Sequence, residues 1–326
     1  MAASGAPRVL LVGGEGAGAR VLSLLLEREV EVARVLTAES PRTRGSVAAI
    51  AERAGIPLDA AERVTDPGLA ATLAAERIDL LVNVHSLRIV CDAVVDAPAI
   101  GSFNLHPGPL PRYAGLDAPS WAVAAGEREH AVTLHRMEAA VDTGPIAYEA
   151  WFEVGSADTG LRVATECVRL GVPLIGQLVD DAATGAIPAR PQDLTQRRWH
   201  GRRAPYGGQL PWTAAARRLV DLVRAADYSP LASPWGWFRT EVAGGQVEVG
   251  RASVVDDLVE SEPPGAVVHD PDGTVRVAAA DGWVAVERTR RGGEAVDPAT
   301  ALPPGTRCAV GPPPVDGVLD GPLGAI

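Results

Sequence analysis

The sequence predicts an α/β fold with a mostly parallel sheet, followed by a smaller β-rich domain. First, the apolar run Val9–Val12 lies between Arg8 and Gly13, which is typical of a strand buried on both faces. Second, a glycine-rich turn, a helical pattern and another apolar run over 30–36 follow in that order. Third, the chain beyond Trp235 consists of short alternating runs separated by Gly and Asp. Together these features predict a Rossmann-like domain followed by a barrel-like one.

The remaining elements of the first domain follow from apolar periodicity and from the residues that interrupt it. The pattern predicts a helix over 47–54, a strand over 56–58, a helix over 66–77, strands over 78–84 and 100–104, a helix over 120–125, strands over 131–136 and 146–152, and a helix over 159–178. Pro173 is expected to interrupt the last helix, since proline lacks the N–H that continues it.

Composition divides the chain into four parts. We expect a first domain over 1–185, a linker rich in Gly, Pro, Arg and Gln over 186–212, a barrel-like domain over 213–295 and a Pro- and Gly-rich tail over 296–326. The second domain begins with an amphipathic helix over 214–226. Much of the tail is expected to be poorly ordered.

Charge disfavours a large polyanionic partner. The 326-residue chain has a formal net charge of −11 and contains no Lys, so all 30 basic residues are Arg. From residue 200 onward, 12 Arg stand against 16 Asp plus Glu. Because a protein that binds tRNA must neutralise phosphates with Lys or Arg, the sequence makes tRNA an unlikely partner.

Cysteine and histidine spacing gives no sign of a disulfide framework or a metal site. Cys91, Cys167 and Cys308 are odd in number and far apart, and they are expected to be buried thiols in a reducing compartment. No His or Cys pair has the spacing H-x-x-x-H or C-x-x-C, and no apolar run reaches the ~20 residues that span a bilayer. The amino terminus leads into a strand and not a signal peptide, so we expect a cytoplasmic protein without metal or membrane attachment.

The segment Gly101–Pro111 presents polar residues where a strand ends. Asn104 and His106 are two positions apart, so both side chains leave the same face of a strand. Pro107 stops the strand because it fixes φ and removes a backbone donor. Ligands of open α/β sheets bind at the carboxyl ends of strands, which makes this a candidate site.

An amide, an imidazole and a carboxylate form a coherent set for acyl transfer to an amine. Asn104 and a donor-facing His106 could hold the oxyanion of a tetrahedral intermediate, while Asp142 orients the imidazole and accepts a proton from the amine. None of the three needs to be a nucleophile. The alternative is that these residues only cap turns, since Asp-Thr-Gly is a common turn tripeptide.

These motifs resemble a known family. The segments FNLHPGPLPRYAG, APSWA, GEREHAVTLHRME and VDTGPI occur in order, with 36 positions between His106 and Asp142. They look like the catalytic block of formyltransferases that use 10-formyltetrahydrofolate, including methionyl-tRNA formyltransferase and the sugar and metabolite N-formyltransferases. The resemblance runs from about Val9 to about Val286 and is strongest between Ser102 and Ile146. It implies the formyltransferase fold and catalytic roles for Asn104, His106 and Asp142.

The resemblance also implies which residues meet the co-substrates. The pterin ring would lie against two loops, made by Leu87, Arg88, Ile89 and Val90 and by Glu138, Ala139, Ala140 and Val141. An anionic acceptor would meet Tyr113, Arg202, Arg203 and Tyr206, although solvated linker is the alternative for the last three. His135 is expected to be a half-buried strand residue and not a catalyst.

Two questions stay open at the level of sequence. The first is the acceptor, which we expect to be an amine of a small metabolite, for instance a nucleotide-linked aminosugar, a hydroxyornithine-type amino acid or a carrier-protein-bound aminoacyl group. Met-tRNA is the alternative acceptor. The other classes are a folate-binding module without catalysis and a nicotinamide-dependent enzyme, since Gly14-x-Gly16-x-x-Ala19 fits the dinucleotide fingerprint, with Glu39 as its acidic residue.

Overall fold

The computed structural model describes residues 6–38, 43, 45–255 and 262–312. Glu39 and most of the connection after it lie outside the described residues. So do residues 313–326, which form the end of the predicted tail.

A seven-stranded sheet forms the first part of the protein. The strands of the first 200 residues are β1 (Val9–Gly13), β2 (Val32–Thr37), β3 (Leu58–Ala60), β4 (Leu80–Val84), β5 (Gly101–His106), β6 (Ala114–Gly115), β7 (Glu129–Arg136), β8 (Ile146–Glu153) and β9 (Trp199–His200). The sheet has the order β3-β2-β1-β4-β5-β7-β8. The first five strands of that order are parallel, and β7 runs antiparallel to β5. The predicted α/β fold is confirmed.

Helices connect the strands, and their bounds lie close to the predicted ones. They are α1 (Glu15–Glu27), α2 (Val47–Arg53), α3 (Leu69–Ala75), α4 (Asp92–Val95), α5 (Ala118–Ala125), α6 (Gly160–Thr184), α7 (Ala216–Ala225) and α8 (Pro298–Ala301). Short 3₁₀ turns lie at Ala61–Thr65, Leu194–Gln196 and Pro205–Gly208. Helix α2 begins at Ser46, whose hydroxyl accepts a hydrogen bond from the Ala49 N–H.

The glycines after β1 permit close packing of helix α1 on the sheet. A Cβ at Gly18 would lie 3.0 Å from the backbone of Gly13, and one at Gly14 would lie 2.9 Å from the carbonyl oxygen of His85. Both positions therefore need glycine for packing between elements of this domain. Of the fingerprint positions, this requirement accounts for Gly14 only, since a Cβ at Gly16 would meet nothing within 4 Å.

Helix α6 corrects the expected break at Pro173. The helix is continuous over 25 residues with Pro173 inside it. Two residues earlier, a Cβ at Gly171 would lie 3.0 Å from the side chains of Leu105 and Val132, so the helix lies directly on β5 and β7. Packing of the whole helix outweighs the one backbone hydrogen bond that proline removes.

The second part of the protein contains an antiparallel sheet. Its strands are β10 (Phe238–Val242), β11 (Gly245–Val255), β12 (Val267–His269), β13 (Val275–Ala278), β14 (Trp283–Arg291) and β15 (Glu294–Val296), and their order is β10-β11-β14-β13-β12 with β15 paired to β14. Helix α7 buries Leu219, Leu222 and Val223 in the same hydrophobic core as Phe238. A smaller barrel-like domain was predicted for this part of the chain, and the structure confirms a separate domain, built on an antiparallel sheet.

The start of the predicted tail is ordered, which corrects the sequence expectation for residues 296–312. Ala301, Leu302 and Cys308 are buried in the core of the second sheet. The Ala309 N–H donates to the Glu241 carbonyl, and the Trp212 N–H donates to the Val310 carbonyl. Backbone hydrogen bonds and apolar burial fix this segment despite its many Pro and Gly residues.

The described chain forms two compact units that interleave along the sequence. The first comprises the described residues up to 114 together with 131–151 and 166–197. The second comprises 115–130, 152–165 and the described residues from 198 onward. Helix α5 thus belongs to the second unit, and it packs there against α7.

Candidate active site

Three amide and imidazole side chains lie in a row across adjacent strands. The backbone register pairs Asn83 of β4 with Asn104 of β5, and Asn104 with His135 of β7. Directly paired residues project from the same face of a sheet, so the register alone brings these side chains together. The Asn83 Nδ2 donates to the Asn104 Oδ1 at 2.8 Å, and the Asn104 Nδ2 lies 3.1 Å from the His135 Nε2. We call these three residues the polar row.

His106 is buried, and its two ring nitrogens face different groups. The Nε2 lies 2.6 Å from the backbone carbonyl oxygen of Tyr113, so Nε2 carries the proton and donates it. The Nδ1 faces the Asp142 carboxylate, with 3.7 Å to its Oδ2. Burial lowers the pKa of His106 from its ordinary value, and the nearby Asp142 opposes that shift. At neutral pH the ring is therefore neutral, with a lone pair on Nδ1.

Asp142 converges on both histidines. Its side chain is 6% exposed, and its Oδ1 lies 3.5 Å from the His135 Nε2. The backbone of Asp142 has a φ of 58°, in the left-handed region that Asp tolerates better than most residues. The sequence placed Asn104, His106 and Asp142 in one site, and the structure brings all three together.

A segment of the predicted linker holds the Asp142 loop in place. The Gln192 Nε2 donates to the carbonyl oxygens of Asp142 and Gly144, at 3.1 and 2.6 Å. The Arg197 Nη2 donates to the carbonyl oxygen of Val141 at 3.1 Å. These bonds satisfy three carbonyl oxygens of one loop, and they fix the backbone that carries Asp142.

His135 corrects the sequence interpretation. It is 2% exposed and not half-buried, and it contacts Asn104 and Asp142 in the first unit. Its Nδ1 lies 2.8 Å from the carbonyl oxygen of Arg136, a hydrogen-bond acceptor. Asn83 was likewise predicted only as a residue at the end of a strand. One feature of the sequence could have identified it as a site residue: like Asn104, it is a polar residue at the carboxyl end of a buried strand.

The residues expected to meet the pterin differ in exposure. Leu87 and Ile89 are 68% and 54% exposed, which is unusual for large aliphatic side chains. Arg88 is also exposed and forms an ion pair with Glu62 at 2.5 Å. Val90 is buried in the hydrophobic core, where it anchors the loop after β4. This loop offers an apolar surface of the kind that a heteroaromatic ring would cover.

The second expected pterin loop precedes Asp142. Glu138, Ala139 and Ala140 are exposed, and Val141 is half-buried with its carbonyl bonded to Arg197. The loop therefore presents small side chains and backbone to solvent.

The residues expected at the acceptor fall in different parts of the structure. Tyr113 is buried in the first unit, where its carbonyl oxygen fixes the His106 ring. Arg202 and Arg203 are exposed residues of the second unit, and Tyr206 is half-buried there with a φ of 53°. Acceptor contacts by these four side chains remain predictions.

The described residues contain no group of three or more His, Cys, Asp or Glu side chains that could hold a metal ion. In the same part of the chain, no helix has the length and apolar character needed to cross a membrane.

The site defines a class of protein. A half-buried amide donor, a buried neutral imidazole and a carboxylate meet at the carboxyl edge of a parallel sheet, which suits group transfer without a protein nucleophile. Comparison with family models identifies the class of this protein more narrowly. Residues 9–172 match the formyl transferase family, and residues 205–302 match the formyl transferase C-terminal domain. The chain belongs to the formyl transferase family and is a formyltransferase, as the motifs indicated.

Solved structures with the same fold include three with folate-type ligands. WlaRD, a sugar 3N-formyl transferase solved with dTDP and 5-N-formyl-THF, is 14% identical and matches with a TM-score of 0.66 over 86% of this chain and 97% of its own. The N-formyltransferase from Helicobacter canadensis, in complex with folinic acid and dTDP-3-aminofucose, is 15% identical, with a TM-score of 0.65 over 85% and 98%.

HypX from Aquifex aeolicus, in complex with tetrahydrofolic acid, is 22% identical, with a TM-score of 0.61 over 92% of this chain and 47% of HypX. The present chain thus spans about half the length of HypX. At these identities, the three likenesses establish the fold.

Proposed function

We propose that the protein transfers the formyl group of 10-formyltetrahydrofolate to an amine of a small metabolite. The observation that carries this proposal is the convergence of Asn104, His106 and Asp142 on one point of the sheet edge. The exposed aliphatic side chains of Leu87 and Ile89 give the donor an apolar surface in the same unit.

The amine attacks the formyl carbon and forms a tetrahedral intermediate whose oxygen carries a negative charge. Asn104 is the donor for this oxygen, because only one N–H of its Nδ2 is directed to His135. A preorganised donor of this kind stabilises charge that develops in the transition state.

The proton of the attacking amine passes to His106. Its Nε2 is committed to the Tyr113 carbonyl, so Nδ1 is the nitrogen that accepts, and Asp142 stabilises the imidazolium that forms. As the bond between the formyl carbon and the folate nitrogen breaks, Nδ1 returns the proton to that nitrogen. The sequence alone suggested Asp142 as the direct acceptor; we propose the imidazole instead, because its Nε2 donates to the Tyr113 carbonyl and the neutral ring then has an unprotonated Nδ1.

The test is formyl transfer by the purified protein, with the donor and a panel of amines that includes nucleotide-linked aminosugars and hydroxyornithine. We expect one amine to gain a single formyl unit by mass spectrometry. Asn104→Ala should lower the rate by about 10²- to 10³-fold, as removal of one oxyanion donor does. Asp142→Asn should also slow transfer, because it leaves the imidazolium without its counter-charge.

Two results would contradict these roles. If Asn104→Ala and Asp142→Asn both transferred the formyl group at the wild-type rate, the chemistry would lie elsewhere. Tight binding of NADH by a protein that binds no tetrahydrofolate would favour the nicotinamide alternative instead. WlaRD is a sugar 3N-formyl transferase solved with dTDP, and the Helicobacter enzyme was solved with dTDP-3-aminofucose, so an aminosugar nucleotide is the first amine to assay.

A further inference from the structure

His135 lies at the centre of the site, but the transfer chemistry above does not use it. It is 2% exposed, and its ring contacts three groups in the first unit: the Arg136 carbonyl oxygen at Nδ1, and Asn104 and Asp142 at Nε2. A buried imidazole with defined partners at both nitrogens must adopt one tautomer.

The carbonyl oxygen of Arg136 determines that tautomer. A carbonyl oxygen only accepts, and it lies 2.8 Å from Nδ1, so the proton is on Nδ1. In the neutral ring, Nε2 then has a lone pair and accepts. The group at 3.1 Å from Nε2 must therefore be a donor, which is the amide nitrogen of Asn104.

The alternative, a proton on both nitrogens, would direct Nε2–H toward Asp142. The distance from Nε2 to the Asp142 Oδ1 is 3.5 Å, longer than the 3.1 Å to Asn104. The shorter distance to Asn104 favours the ring that accepts from the amide nitrogen.

We propose that His135 is a positioning residue that acts through Asn104: its Nε2 accepts one amide N–H and thereby directs the second N–H to the formyl oxygen. Asn83 supports the same orientation from the other side, because its Nδ2 donates to the Asn104 Oδ1. Without these partners, an Asn amide rotates by half a turn at little cost and presents oxygen, which repels an oxyanion, in place of nitrogen. This inference rests on the proposed function for its kinetic consequence.

The first test does not depend on activity. In ¹⁵N–¹H spectra of the uniformly labelled protein at neutral pH, His135 should show a protonated Nδ1 and an unprotonated Nε2, the less common tautomer of histidine in water. His135→Gln assigns the signals by their disappearance. A protonated Nε2, alone or together with Nδ1, would overturn the proposal whatever the enzyme catalyses.

The second test measures kinetics with the amine identified in the screen. His135→Phe keeps a ring of similar size and removes the acceptor, and it should lower kcat by about 10²-fold, as misplacement of a catalytic group does, with the donor KM near the wild-type value. His135→Gln offers an Oε1 near the Nε2 position and should recover most of the rate. His269→Gln, a substitution of a second-unit histidine in β12, is the matched control.

A double-mutant cycle separates positioning from independent action. In the Asn104→Ala background, His135→Phe should produce no further loss, because its partner is already absent. Multiplicative losses would show that His135 acts on the reaction directly and would overturn the proposal. If the wild-type protein transferred a formyl group to no amine, the proposed function would fail, and the tautomer measurement would still decide the role of His135.

Discussion

His106 makes the stability of the protein depend on pH. Burial lowers the pKa of His106 in the folded protein below its ordinary value of 6.5, which the unfolded chain keeps. Between the folded-state pKa and 6.5, the unfolded chain therefore binds a proton at His106 that the folded protein does not. Folding stability is therefore complete above pH 6.5 and decreases as the pH falls through that window. The neutral imidazole is both the form that the fold favours and the form that the proposed mechanism requires as proton acceptor.

We expect the free energy of unfolding to decrease below pH 6.5 by up to about 1.4 kcal/mol per pH unit from this residue alone. Urea denaturation of wild type and of His106→Asn across this range measures the contribution. The variant should have the shallower dependence. Equal slopes for the two proteins would mean that the pKa of His106 is not lowered in the folded state.

Gly144 is a second residue on which the geometry of the site depends. A Cβ there would overlap the carbonyl oxygen of Arg136, so the loop that carries Asp142 can lie against β7 only with glycine. This gives a physical reason for the glycine of the Asp-Thr-Gly tripeptide.

Gly144→Ala should therefore displace Asp142 and lower kcat by about 10²-fold, the cost of misplacing a catalytic group. Gly16→Ala is the matched control, since a Cβ at Gly16 meets nothing within 4 Å and helix α1 favours alanine. Wild-type kcat in Gly144→Ala would show that the loop tolerates the displacement.

At the scale of elements, the segment after α6 holds the loop that carries Asp142. Gln192 donates to two carbonyl oxygens of the Asp142 loop, and the 3₁₀ turn Leu194–Gln196 leads to Arg197, which donates to a third. A segment that the sequence marks as linker thus determines the position of the carboxylate.

Gln192→Met removes these hydrogen bonds at nearly constant size and should lower kcat about 10-fold. Gln192→Glu should be worse, because it sets a carboxylate against two carbonyl oxygens. Gln196→Met is the control, because it makes the same substitution in the same segment at an exposed residue whose side chain donates to Asp193. Transfer rates at saturating donor measure all three. An equal rate in Gln192→Glu and wild type would remove the segment from the mechanism.

The sequence predicted most of the elements and the grouping of Asn104, His106 and Asp142, but it did not predict the polar row. Pro107 marks the end of β5, and alternation along the strand places Asn104 and His106 on one face, so the local sequence is enough to identify both residues. The local sequence does not identify His135, because its contacts depend on β7 lying antiparallel beside β5 in one particular register. Likewise, Pro173 is tolerated because of packing between α6 and the sheet, which no local rule contains.

At the scale of the whole molecule, the charge of −11 predicts which acceptor the enzyme does not use. We expect no binding of bulk tRNA in mobility-shift experiments at physiological salt, because neutralisation of phosphates requires an excess of basic side chains. A fluorescently labelled tRNA titrated with protein checks this. Tight binding that weakens steeply with added salt would make Met-tRNA the acceptor to test.

The interleaving of the two units limits how this enzyme could be recombined with its relatives. Residues 115–130 and 152–165 are encoded within the catalytic half but complete the other unit. A chimera joined at a single point near residue 198 would combine α5 of this protein with α7 and the carboxyl-terminal sheet of a relative. Helix α5 packs against α7 in the core of the second unit, so this core would contain residues from two different proteins. Exchange of the whole second unit by gene fusion therefore calls for three grafted pieces, and a chimera with a single crossover should be less stable than either parent.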